Sequence, residues 1–308
     1  VIADGKIVAM AEAVGDLLGL RVFAALDDAL ATKPDAAFIC TPSALHVPAA
    51  IACARAGAHL FMEKPLSHTL DGVRELLAEV ARASVIGTVG CQMRFHPCLV
   101  RAAAAIRNET LGRVLAVRAA AGEHLPDWHP YEDYRTGYAA RRSLGGGVIL
   151  TLIHELDYVQ WMFGVPKRVF ALGGQWSRLE LDEVEDVASM LLECADARGR
   201  PVAVHVQLDY LQRPPRRSCE IVGDKGTFNA DLRGNSYSLR LHDDSSDRPS
   251  AFPEFERNDM FLDEIRHFVG AMRGEHPPAV SLAEAADTLR VVLAAKESMI
   301  THRAVEIA

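Results

Sequence analysis

The residues best placed to do chemistry begin with a lysine held between an acid and a proline, in Phe61-Met62-Glu63-Lys64-Pro65-Leu66. An apolar run over residues 58–62 precedes it and an amphipathic segment over residues 71–83 follows, a strand and then a helix. In an open α/β sheet that junction is a carboxyl end, where such sheets place their sites. The proline fixes the backbone, and the ammonium can be presented to a hydroxyl or carbonyl oxygen that is gaining or losing a proton. Taken alone, a Glu-Lys pair at such a junction reads as ordinary surface charge.

Its company changes that reading. Some twenty residues earlier, Ala37-Phe38-Ile39-Cys40-Thr41-Pro42-Ser43-Ala44-Leu45-His46 is a buried strand ending in Thr-Pro. Later come Val89-Gly90-Cys91-Gln92-Met93-Arg94-Phe95-His96-Pro97 and the run Gly145-Gly146-Gly147, which leads into Ile153-His154-Glu155-Leu156-Asp157. In this order and spacing the chain resembles the Gfo/Idh/MocA family of nicotinamide-dependent oxidoreductases, over nearly its whole length.

The resemblance implies an NAD(P)-dependent dehydrogenase acting on the CH–OH group of a sugar, cyclitol or sugar derivative, with NAD expected and NADP possible. It implies Lys64 and His154 as the groups that face the substrate carbinol. In the family an acid often stands one turn before the histidine; here the positions three and four before are Thr151 and Leu150, so Lys64 is expected to carry the acid–base role. On the cofactor side it implies Thr41, Pro42, His46, Glu63 and Lys64. Gln92 and Arg94 are expected at the substrate pocket, with Thr151.

An acid at the end of the second strand of a dinucleotide fold takes ribose hydroxyls about 20 residues after a Gly-rich turn. Asp4 fits that position and would repel a 2′-phosphate, although Lys6 weakens the preference. No G-x-G-x-x-G precedes it. The expectation is that a segment comes before Val1 or that the chain departs from the family at its phosphate cradle; in the second case the alternative is a non-catalytic sugar-binding or partner-binding relative.

The densest polar-aromatic stretch, residues 123–142, contains Trp128, His129, Tyr134 and Tyr138. Such a loop suits a sugar ring, and its composition equally suits a subunit interface. His124, Asp127, His129, His154 and Asp157 invite a metal reading, but their spacing matches no ligand motif and no metal is expected. Gly145-Gly146-Gly147 lacks the Lys-Ser/Thr of a phosphate loop and reads as a sharp turn or a close backbone approach.

Composition sets the outer limits. The 308 residues suffice for two domains, and a formal charge of -8 argues against a nucleic-acid partner. Six cysteines without a C-x-x-C pair imply a reducing, cytoplasmic setting, and no apolar run reaches membrane-spanning length. The alternation of strands and helices up to Gly90 predicts a Rossmann-like parallel-sheet domain over residues 1–92. Residues 93–308 read as an α+β domain with an open, mainly antiparallel sheet, because strands near 114–121, 169–175, 187–194, 202–210, 218–222, 227–230 and 237–241 follow one another by turns. Helices are expected over 94–108, 148–163, 255–272 and 282–301, and residues 242–250 read as an exposed loop. A one-sided sheet must bury its apolar face, which predicts a homodimer or homotetramer.

Overall fold

A computed structural model describes residues 17–243 and 248–307. The first region is a parallel sheet in the order β1-β2-β3, with β1 Ala36–Ile39, β2 His59–Glu63 and β3 Gly87–Gly90. The crossovers are α2 His46–Arg55 and α3 Val73–Ala83, with α1 Leu26–Leu30 ahead of them. β2 buries Leu60, Phe61 and Met62 and ends at Glu63, so Lys64 emerges at its carboxyl end. β1 was expected to be buried, but Phe38 is 51% exposed. β1 is the edge of the described sheet, where Phe38 stacks on Phe61 and meets Phe268 edge-on.

A linking helix, α4 Pro97–Arg107, leads to a sheet of nine strands. They are β4 Val114–Gly122, β5 Arg168–Gly174, β6 Val187–Ala195, β7 Pro201–Asp209, β8 Arg216–Gly223, β9 Gly226–Asp231, β10 Ser236–Leu241, β11 Arg248–Ala251 and β12 Val305–Glu306. Every ladder is antiparallel except β4 with β7. Val202, Val204, Val206 and Leu208 of β7 face the core with Ala188, Met190, Leu192 and Cys194 of β6, the period-two pattern of a sheet covered on one side. β11 falls where an exposed loop was expected, and β12 is too short to carry a periodic signal.

The single helix expected over 148–163 is two, α5 Val148–Thr151 and α6 His154–Phe163. Leu152 leaves the helical region at φ -100 and ψ 39, so His154 starts a new helix instead of continuing an old one. α7 Arg257–Met272 and α8 Leu282–Thr301 complete the chain, α8 opening on a Ser281/Glu284 capping box. α8 joins the two regions. Val280, Leu282, Ala285 and Ala286 share a core with Leu60, Met62 and Val89, while Leu289, Val292 and Ala295 share one with Ile149, Leu156 and Val204. The chain thus returns to its first sheet after building its second, and Thr88 Oγ1 donates to the Val280 carbonyl at 2.9 Å.

Candidate active site

Lys64 leaves β2 and points across the domain junction. Its Nζ donates to the carbonyl oxygen of Thr151, the last residue of α5, at 2.6 Å. Three residues further on, the ring of His154 is 3% exposed and its Nδ1 has no hydrogen-bond partner. Burial holds the imidazole well below the ordinary histidine range, and the charges of Lys64, Arg217 and Arg257 push it the same way. The ring is therefore neutral near pH 7. The ammonium and the imidazole, ninety residues apart in sequence, are neighbours in the fold.

What holds them is a second layer of buried polar bonds. The Tyr210 hydroxyl, immediately after β7, bonds Thr151 Oγ1 at 2.7 Å and lies 3.3 Å from the Ala139 carbonyl. Trp128 packs edge-on against Tyr210, with ring centroids 5.5 Å apart, and its buried Nε1 has no partner. Tyr138 is half-buried in the same loop. Glu155 is fully buried against Arg217 of β8, at 2.9 Å from Nε to Oε1.

Several residues expected at the site sit elsewhere in it or are already used. Arg94 was expected at the substrate, but its guanidinium is sunk in a two-pronged pair with Asp157, at 3.0 and 2.8 Å, and donates to the Ala279 carbonyl at 2.9 Å. His46 was expected at the cofactor. Its ring is 1% exposed, with Nδ1 2.8 Å from the Pro65 carbonyl and Nε2 2.7 Å from that of Thr41, so it braces two strand ends and leaves no nitrogen for a ligand. Tyr134 uses its hydroxyl to accept from the Glu180 backbone, and exposed His129 bonds Tyr131. His124 and Asp127, candidates for a metal, are both held by Arg213. Gln92 is half-buried with no side-chain hydrogen bond among the described residues. Thr41 Oγ1 is buried without a partner, Glu63 is half-exposed at the end of β2, Pro42 follows Thr41, and Asp4 lies outside the described residues.

The glycine run leaves no room for a side chain at any of its three positions. A Cβ on Gly145 would stand 2.2 Å from Ser43 Oγ and 2.9 Å from His68 Cβ, both beside the strand ends of the first sheet. Gly147, at φ +105, would place one 2.5 Å from the Glu185 carboxylate. The run lets the loop before α5 close onto the first domain.

Glu264 of α7 was not foreseen. Burial pushes its carboxyl up to about 8, and the charges of Glu63 and Asp157 add to the effect. The folded protein keeps this proton up to about pH 8, whereas the unfolded chain releases it near 4.5. The stability contributed by the protonated form is complete below 4.5 and lost as pH rises to about 8. Glu264→Gln, which cannot ionise, should gain Tm relative to the parent across that interval and hold a constant advantage above it. Thermal melts of both proteins at matched pH check this, and a flat difference would refute it.

A family model described as an oxidoreductase family with an NAD-binding Rossmann fold matches residues 6–91, and one described as the Gfo/Idh/MocA C-terminal domain matches residues 99–229. The myo-inositol 2-dehydrogenase of Thermotoga maritima is 29% identical over 278 residues, 89% of this chain and 80% of that protein. A levoglucosan dehydrogenase solved with NADH and levoglucosan superposes with a TM-score of 0.84 at 19% identity, over 99% of this chain and 88% of its own. The WlbA dehydrogenase of Bordetella pertussis, solved with NADH and UDP-GlcNAcA, gives 0.79 at 21%, over 96% and 86%. At those identities the two solved structures speak to the fold.

Proposed function

The chain belongs to the Gfo/Idh/MocA family of oxidoreductases, and from that premise we propose that it moves a hydride between NAD(P) and a secondary alcohol or ketone of a sugar, cyclitol or sugar derivative. As a member of that family it is an NAD(P)-dependent oxidoreductase; the polyol is what the proposal adds. The observation that carries it is the Lys64 ammonium beside the neutral, unpartnered His154 ring.

The donors and acceptors left over fit a nicotinamide nucleotide. Thr41 Oγ1 is buried and unpartnered at the end of β1, and Glu63 ends β2, both at carboxyl ends where ribose hydroxyls are held. When bound, the nicotinamide supplies the hydride donor or acceptor. The protein's share is proton traffic and orientation. An ammonium has three N–H groups, and Lys64 gives one to Thr151, leaving two for a carbinol or carbonyl oxygen. In reduction Lys64 gives its proton to the oxygen as the carbonyl becomes an alcohol; in oxidation the neutral amine takes it back. His154, neutral, orients a substrate hydroxyl through Nδ1. Trp128 and Tyr138 line the approach, with Gln92, and His129 and Tyr134 shape the outer loop.

The relatives' names support a polyol. The matched Thermotoga protein is a myo-inositol 2-dehydrogenase, and a relative from Shouchella clausii, 27% identical over 200 residues, is an inositol 2-dehydrogenase/D-chiro-inositol 3-dehydrogenase. The outer face of the nine-stranded sheet exposes Leu172 and Leu191, with Trp176 beside it, and a second copy covering it would give a homodimer or homotetramer. A panel of cyclitols, aldoses and anhydro-sugars with NAD and with NADP, read by nicotinamide absorbance, tests the function; sedimentation of the same preparation tests the assembly. Nucleotide binding without turnover of any polyol or ketose would move the chain to the non-catalytic class, and a monomer would remove the assembly.

A further inference from the structure

We propose that Tyr210 is a positioning residue: it fixes the end of α5 opposite the one that Glu185 holds, and so aims the Thr151 carbonyl at the Lys64 ammonium. This rests on the reading of Lys64 as the acid–base group. A four-residue helix cannot hold itself, because nucleation is costly and both its ends leave backbone groups open. Glu185 closes one end: its backbone carbonyl accepts from Val148 N at 3.0 Å and its Oε1 from Ile149 N at 3.1 Å. Its other oxygen is 3.3 Å from Lys296 Nζ, and Gly147 gives the carboxylate the room it needs. Tyr210, fully buried, closes the other end through Thr151 Oγ1. Thr151 thus has its side chain fixed by the sheet and its carbonyl turned to Lys64.

The consequence is a lysine aimed before substrate arrives. Lysine carries four flexible side-chain bonds, and fixing one N–H on a rigid acceptor directs the other two. A displacement of the order of 1 Å at a reacting group can cost about 10²-fold in rate. Tyr210 is fully buried and acts on Lys64 through Thr151, so its loss should lower kcat while leaving nucleotide affinity alone.

The test uses Tyr210→Phe, Thr151→Val and Thr151→Ser in the full chain. The polyol turned over fastest in the panel above serves for kinetics, and ¹⁵N spectra of the lysine ammonium groups serve as a readout that needs no ligand. The chain has six lysines, so Lys64 is assigned by the peak missing in Lys64→Ala. The parent should show a Lys64 ammonium slow to exchange with water. In Tyr210→Phe and Thr151→Val that signal should be lost, with kcat down about 10- to 100-fold and calorimetric NAD affinity unchanged. Thr151→Ser, which keeps the hydroxyl, should restore both signal and rate. An unchanged Lys64 signal with kcat within about twofold of the parent in both Tyr210→Phe and Thr151→Val would overturn the proposal. If Lys64→Ala is inactive while those two behave as the parent, the positioning role alone fails; if Lys64→Ala turns over normally, the acid–base reading fails and takes this one with it.

Discussion

Lys64→Ala should lower kcat by about 10²- to 10⁴-fold, the range that a positioned proton donor or acceptor contributes, while NAD still binds the purified variant. On the proposed mechanism the change removes the group that gives and takes the proton at the substrate oxygen. It also removes the 2.6 Å bond to the Thr151 carbonyl, but α5 keeps Glu185 and Tyr210, so the backbone that frames the site survives. His154 cannot take over fully, because burial holds its ring well below the ordinary histidine range. Burial and the charges of Lys64, Arg217 and Arg257 all depress the ring, and the variant removes the Lys64 charge alone, so the ring should titrate at higher pH in Lys64→Ala than in the parent. Steady-state kinetics, calorimetry with NAD and histidine NMR titration check the three statements. Turnover within tenfold of the parent would remove Lys64 from the chemistry.

How much of this was legible in the sequence depends on whether a residue's partner lies nearby along the chain. Lys64 and His154 stand out in the sequence because their flanking motifs are local: Glu-Lys-Pro at a strand end, and glycines before a helix. The parallel sheet followed by strands joined by turns was readable from hydrophobic period alone. The break after Thr151 was not, because residues 148–163 keep an apolar face throughout and the interruption is held by Glu185 and Tyr210, from other elements. Tyr210 did carry a signal. It continues the inward alternation Val202, Val204, Val206, Leu208, and a tyrosine at a core position must find a partner for its hydroxyl. His46 and Arg94 were misplaced for one reason: a polar side chain after a strand looks the same whether it awaits a ligand or a buried partner. The partners are backbone carbonyls of Thr41 and Pro65 in one case and Asp157, sixty-three residues on, in the other.

That second misplacement yields the largest stability effect. Arg94→Met should cost about 3–5 kcal/mol, the penalty for leaving a buried carboxylate without its cation. The side chains of Arg94 and Asp157 are 5% and 2% exposed, so water cannot replace the lost guanidinium. Arg94 also joins three segments, the turn after β3, α6 through Asp157, and the approach to α8 through the Ala279 carbonyl, so its loss loosens the junction on which the Lys64 and His154 geometry depends. Against a total stability of about 5–15 kcal/mol this is a large fraction. The double variant Arg94→Met/Asp157→Leu removes both charges, and because apolar replacements of buried pairs are often neutral, it should recover most of the loss. Denaturant midpoints for the two single variants and the double close the cycle. A cost below about 1 kcal/mol for Arg94→Met would mean that Asp157 sheds its charge or finds water, and the pair would then be a minor contact instead of the anchor of the interdomain seam.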